Sequence, residues 1–338
     1  MKKLIPSILT AACLAVTTLS VYSQDTVDVE SFDLTDIQHL ELDFNHAQIE
    51  ITNSTDNQLH IELNQTLKRG QAEKCLHKIK VSKSSDRLKL STDTQSFSWF
   101  NNCSVEKTIK VKIGKSDLLS LNLSNHHAVV KVDSLQAKAL EVNFHHSQVD
   151  LNMLLAESLD FDFHHGKGTI NAVNANQVEI EGGHGQLEIG VIQGENIESE
   201  WNHGTLVFNR SQFEKTDIDS AHAKIEFKQH TGHKLNIDGR HSHLATHVEQ
   251  MQKVKLQNKH GHIEFIGSAE NIYSSNAHGA TYLKQTSNQN FAIQSKASHG
   301  NVVVEIPKGT QYNQAESGLS KNSISFDISH GVSKVTTF

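Results

Sequence analysis

The sequence predicts an all-β fold: a single-stranded parallel β-solenoid with coils of about 19 residues, preceded by a short β-rich N-terminal region. Three observations predict it. A histidine returns every 19 residues from His127 through His146, His165, His184, His203, His222 and His241 to His260, and then less strictly at His278, His299 and His330. Apolar pairs flank each of these histidines at fixed offsets. Prolines number only two, and Asn, Ser, Thr and Gln separate the short apolar pairs. A fixed period near 20 residues marks repeats that bury their apolar side chains only by stacking.

Residues 1–23 read as a signal peptide: Lys2 and Lys3, an apolar run from Leu4 to about Val21, and small Ser23 before Gln24. A competing reading lipidates Cys13 after Thr10-Ala11-Ala12. No later segment is apolar enough for a transmembrane helix, so no transmembrane span is expected in the mature chain. The chain is expected to be exported, either periplasmic or cell-surface/secreted. Removing Lys2 and Lys3 takes the formal charge from −7 to −9, which argues against nucleic acid as a partner.

Residues 24–115 form the expected β-rich capping region. One repeat unit already appears there (Leu40, Leu42, His46, Ile49, Ile51), and the stretch from Leu59 to Ile113 then breaks the period. Cys75 and Cys103 remain after export, as one disulfide worth about 3 kcal/mol or as two buried thiols. Helical turns are expected at Gln65–Lys78 and around Met153–Ser158.

Residues 116–338 form the expected histidine-ladder solenoid. Leu140/Val142 and Leu159/Phe161 precede their histidines by six and four residues, while Val149/Leu151 and Leu187/Ile189 follow theirs by three and five. A spacing of two puts each pair on one strand face. The two pairs differ in parity, so the chain turns at the histidine. Gly, Ala or Ser follows every ladder histidine, as a tight corner requires. A third apolar position at Leu135, Leu154, Val173 and Ile192 fades to Ser211, His230, Glu249 and Ser268, so later coils are expected to be looser. The interval from His299 to His330 contains Pro307 and a polar stretch, expected to loop out before a terminal coil.

Ser147-Gln148-Val149, Gly185-Gln186-Leu187, Gly204-Thr205-Leu206 and Gly261-His262-Ile263 fit a small-x-apolar unit that resembles the bacterial adhesin-like family of exported β-solenoid proteins, a domain of unknown function. The resemblance covers most of the chain from about residue 31. It implies an exported β-solenoid with no established catalytic activity. The chain departs from that pattern by placing His, rather than Ser or Thr, before the small residue.

The chain holds 23 histidines, and three uses are weighed. In the structural use, stacked imidazoles hydrogen-bond at the corners. In the second, imidazoles on adjacent coils bind Zn, Cu or Ni weakly at several sites. The first metal candidates are His241, His243, His260 and His262, where a second histidine doubles the ladder. His126, His127, His145, His146, His164 and His165 form a weaker set. In the third, acidification charges the column and loosens it. Non-enzymatic binding or scaffolding in the bacterial cell envelope is the expected function, with a glycan-binding adhesin as the alternative. An envelope component, a glycan or another surface protein is the expected kind of partner. No catalytic residue is expected, because no nucleophile elbow, zinc-protease motif or phosphate loop is present. Outward positions mix Asn, Gln, Lys, Asp and Glu with no acidic cleft expected. Phe163 and Trp201 are expected to pack in the core or at its edge, with a carbohydrate-stacking face as the alternative.

Overall fold

The computed structural model describes residues 24–92, 103–314 and 322–338. The expected signal peptide, residues 1–23, and Cys13 lie outside them. The protein is nearly all β, one curled mixed sheet of 16 strands. The one helix among the described residues is the single turn α1 (Ala72–Cys75). Of the two expected helical stretches, Gln65–Lys78 thus holds one turn after strand β4 (Gln58–Arg69), and Met153–Ser158 lies within strand β11 (Gln148–His164). Leu154 is buried there and must point inward, which fits the strand and overrides the local propensity.

From residue 120 onward the strands pair in parallel at the sequence period. Strand β10 (Ala139–His145) matches Leu140 with Leu121 of β8 (Ser120–His126) on one side and with Leu159 of β11 on the other. Strand β9 (Val129–Gln136) pairs with β11 in the same register, Val130 opposite Val149. Each repeat is therefore a rung, two extended arms joined at a histidine corner. The later arms merge into long bent runs, β12 (Lys167–Arg240), β13 (Ser242–Gln285) and β14 (Phe291–Ile306). A short β15 (Asn313–Gln314) and the last strand β16 (Asn322–Thr337) follow.

The N-terminal end is built differently. Strands β2 (His39–Asn45) and β3 (Gln48–Asn53) form the His46 rung. Outside it lie β6 (Arg87–Thr92) against β2 and β7 (Ser104–Ile113) against β3, both parallel. The chain thus threads back beneath its own first rung. Strand β4 pairs antiparallel with β7 and with β1 (Gln24–Asp33), and β5 (Ile79–Lys83) pairs antiparallel with β6. Cys75 and Cys103 are joined by a disulfide whose S–S distance is 2.01 Å. Gly70 lies against it, at φ +113° with room for no side chain: an added Cβ would stand 2.4 Å from Cys75 Sγ.

The core is one continuous apolar column, with Phe44, Phe144, Phe161, Phe163, Trp201, Phe208 and Phe227 among its fully buried side chains. The Phe163 and Trp201 rings stack at 6.3 Å. At Ser211 and His230 the third inward position stays filled by buried polar residues, whereas Glu249 is exposed. His230 is 0% exposed, with Nδ1 2.8 Å from Ser211 Oγ and Nε2 3.4 Å from Thr216 Oγ1. A register shift then passes the position to buried Val248. A polar residue with partners fills the core as well as an apolar one.

Candidate functional site

The corner histidines form one unbroken stack of imidazoles. It starts at His46, which stands next to His127, and ends at His330. Successive ring centroids are 4.4–4.9 Å apart and the rings lie within 13° of parallel. That spacing is the distance between paired strands, so the sheet sets it. All twelve of these residues are exposed. The column therefore runs along the outside of the molecule, facing water.

The backbone explains why histidine sits at the corner. From His46 to His241 all eight ladder histidines hold φ between +52° and +57°. Few residues other than glycine enter this left-handed region, and Asn, Asp and His are enriched among those that do. Each corner also ties rungs together: His127 donates its N–H to the His145 carbonyl and His146 to that of His164, both at 2.9 Å. Gly204 (φ +140°) adds a second positive φ after His203; from His260 onward the following glycine alone carries it, as at Gly261 (φ +129°) and Gly279 (φ +137°).

The expected metal set separates into parallel pairs. His241 stacks on His260 at 4.4 Å, and His243 stacks on His262 at 5.0 Å. In the weaker set, His127, His146 and His165 belong to the main column, while His126, His145 and His164 form a second short stack at 4.8 and 5.3 Å. Nitrogen lone pairs lie in the ring plane, so parallel rings aim them side by side. Among the described residues no group of three or more His, Cys, Asp or Glu side chains is placed to hold one metal ion.

Three rings of the column have depressed basicity. The pKa values of His46, His165 and His260 are lowered from 6.5, first by burial against their neighbours and then by the charges of adjacent imidazoles. His145 is lowered by burial, against an opposing pull from Asp162. Asp162 lies 2.9 Å from His164 Nε2 and 3.8 Å from His145 Nε2. His230 is pushed down to about 4 by its burial.

A second ladder was not foreseen. Five residues before successive histidines stand Glu141, Asp160, Glu179, Glu198 and Asp217; three before stand Asp162, Glu181, Glu200, Asp219 and Asp238. The pairing places Asp160 between Glu141 and Glu179, and Asp162 beside Glu181. Glu141, Asp160, Glu179 and Glu198 line an open trough of about 510 Å³. Burial and the carboxylates of Glu179, Glu141 and Asp162 raise the Asp160 pKa; burial, then chiefly Asp238 and Glu200, raises that of Asp219. The outward positions thus carry an acidic stripe where none was expected. Its signal was present in the sequence as the same 19-residue recurrence, two phases away from the histidines.

On the capping strands, His60 joins β1 to the turn before β4. Its Nδ1 lies 2.8 Å from Ser31 Oγ and its Nε2 2.8 Å from Asp56 Oδ2. This contact and a bond from Ser54 hold the Asp56 carboxyl at a pKa of about 2.

Among the described residues no helix is long and apolar enough to cross a membrane. Residues 37–308 match the sequence profile of the family described as Toastrack DUF4097. No curated protein matches the chain. Among solved structures, a "putative lipid binding protein" of Parabacteroides distasonis is 12% identical, with 92% of this chain and 97% of that one covered and a TM-score of 0.32. A "putative adhesin" of Parabacteroides merdae is 10% identical over 92% and 96%, also with a TM-score of 0.32. A "putative cell adhesion protein" of Clostridium sporogenes is 9% identical over 93% and 100%, with a TM-score of 0.23. Likeness at this level carries no argument about function.

Proposed function

Because the chain belongs to the Toastrack DUF4097 family, we propose that it is an exported, non-enzymatic binding and scaffold protein of the bacterial cell envelope, a β-solenoid whose histidine column is a neutral structural spine. The observation that carries this reading is the uninterrupted, solvent-facing stack from His46 to His330. The left-handed corners from His46 to His241 give the histidines a backbone reason to be there. The 19-residue parallel register supports coils that wrap on a single chain. A long, regular outer surface with an acidic stripe suits attachment to an extended partner.

The spine reading makes stability depend on acid. A histidine whose folded pKa lies below its unfolded value of 6.5 stays neutral in the fold and takes a proton on unfolding. The unfolded state then binds more protons, so the stabilising contribution is whole above about pH 6.5 and is lost as pH falls below it. Two imidazolium ions at this spacing also repel by about 1 kcal/mol even in water.

Thermal melts of residues 24–338 between pH 8 and pH 5, with and without Zn²⁺, test the proposal. The expected result is a melting temperature that falls with acid and that Zn²⁺ does not raise. Stabilisation by Zn²⁺ that disappears when His241, His243, His260 and His262 are changed to Asn would replace the spine with a weak multi-site metal binder. Ni²⁺ and Cu²⁺ titrations complete that comparison.

A further inference from the structure

We infer that the elements outside the His46 rung carry a basic face that docks end-on against an anionic lipid bilayer. Residues 68–89 hold eight Lys or Arg against two Asp or Glu, a net charge of +6 in a chain whose total is −7, so the remainder carries −13. The cations are segregated into one stretch instead of being interspersed with the acids. The inference names a partner for the envelope reading, but it stands on charge and exposure and is independent of the histidine spine.

The fold gathers that stretch into one place. Lys68 and Arg69 end β4, and Arg69 stands opposite Ser104, the neighbour of Cys103. The disulfide joins Cys103 to Cys75, which brings Lys74 of α1 to the same spot. The His77 N–H donates to Gln65 Oε1 at 2.7 Å, and Gln65 Nε2 donates to the His77 carbonyl at 2.8 Å, so Lys78 is fixed beside β4. Strand β5 then carries Lys80 and Lys83 along β6. The turn between them, closed by Ser84 N–H on the Arg87 carbonyl at 2.9 Å, brings Arg87 back to Lys83.

These cations are available. All seven from Lys68 to Arg87 are exposed. Lys68 pairs with Glu106 at 3.3 Å, and the eighth cation of the stretch, Lys89, is taken by Glu41. Lys74, Lys80, Lys83 and Arg87 are in no ion pair among the described residues. Val81, between Lys80 and Lys83, is 41% exposed and adds apolar contact among the charges.

The distribution of charge selects a planar surface as the occupant. The carboxylate ladder begins at Glu141, three strand spacings from Lys89 by way of Glu41 and Asn122. That is about 14 Å, well beyond the Debye length of about 8 Å at physiological ionic strength. An anionic bilayer met end-on therefore feels the cations and little of the ladder. A linear polyanion laid along the rungs meets the carboxylates from Glu141 to Asp238 and is repelled. Clustered Lys and Arg held at a bilayer surface are the usual means of attraction to acidic headgroups.

Cosedimentation of residues 24–338 with vesicles tests the inference. The vesicles are phosphatidylcholine alone or phosphatidylcholine mixed with phosphatidylglycerol. Binding to the mixed vesicles should be at least about tenfold tighter than to the neutral ones, and added salt should abolish the difference. Lys80→Glu with Lys83→Glu should weaken it at least about tenfold, while Lys80→Arg with Lys83→Arg should retain it. Lys253→Glu with Lys255→Glu makes the same change of net charge far from this face and should leave binding within about twofold of the parent. Circular dichroism checks that each variant is folded. Equal or absent binding to the two kinds of vesicle, or equal losses from the two Lys→Glu pairs, overturns the inference. Inorganic polyphosphate that binds the parent as tightly as the mixed vesicles do would assign the face to a soluble polyanion and overturn the lipid partner.

Discussion

The first eight rungs of the column and the last four solve the same corner in two ways. From His46 to His241 the histidine itself is left-handed, and small Ala, Ser or Gly follows. From His260 to His330 the histidine leaves that region, and glycine takes the positive φ at Gly261, Gly279 and Gly331. The imidazoles stack equally well in both stretches, so stacking does not depend on which residue bears the turn. The faces also differ. The carboxylate ladder from Glu141 to Asp238 lies wholly in the first stretch, while Lys255, Tyr273 and Gln294 occupy its path in the second. Inside the second stretch some core positions are polar, with Ser274 donating to Ser295 at 2.7 Å. The corner histidine is thus part of the backbone solution in one region and a surface ring in the other.

Substitution at the second kind of corner should have the largest effect. An added Cβ at Gly279 would stand 1.9 Å from the Gly261 carbonyl oxygen, at φ +137°. Gly279→Ala should cost about 2–4 kcal/mol by urea unfolding, whereas Ala in place of Ser147, in the first stretch, should cost far less.

Acid comes next. Burial holds the His230 pKa at about 4 against 6.5 for the free side chain, so its contribution is whole above pH 6.5 and is lost progressively between 6.5 and 4. That loss amounts to roughly 3 kcal/mol, measured as the pH dependence of unfolding free energy. His230→Gln should flatten this part of the curve.

The corner histidines themselves separate the two regions. His184→Val forces a β-branched residue into φ +56° and should cost about 2 kcal/mol. His278→Val meets no such backbone demand and should cost at least 1 kcal/mol less. Equal costs would dissolve the distinction. His184→Asn keeps a residue that tolerates the left-handed corner and should cost under about 1 kcal/mol.

The smallest effect should be a gain. Asp160→Asn removes one carboxylate from a row in which Glu141 and Glu179 lie directly opposite. Like charges placed so are destabilising, and relief should be worth about 0.5 kcal/mol at pH 7, fading with salt.

Much of this was legible in the sequence because the rung is short and strictly periodic. The apolar pairs at Leu140/Val142 and Val149/Leu151 have opposite parity, and that alone demands a corner at His146. The partner of each strand follows from the period. Three features were not legible for physical reasons. The return of β6 and β7 beneath the His46 rung is a long-range choice that no local pattern encodes. His230 looked like a failed apolar position because its partners, Ser211 and Thr216, are adjacent only after coiling. The doubled histidines at His243 and His262 suggest a chelate in the sequence, and parallel pairing turns them into a second stacked pair at 5.0 Å. The acidic ladder is legible in the sequence, though its members alternate between Asp and Glu.

The central claim is that the column is a stack of neutral rings held at strand spacing. Titration of the ladder imidazoles by NMR, followed at each ring's carbon between pH 8 and pH 4, tests it most directly. The account predicts midpoints below 6.5 for His46, His165 and His260, broadened as each ring senses its neighbours. Midpoints at or above 6.5, as the net negative charge of the chain alone would favour, would contradict it.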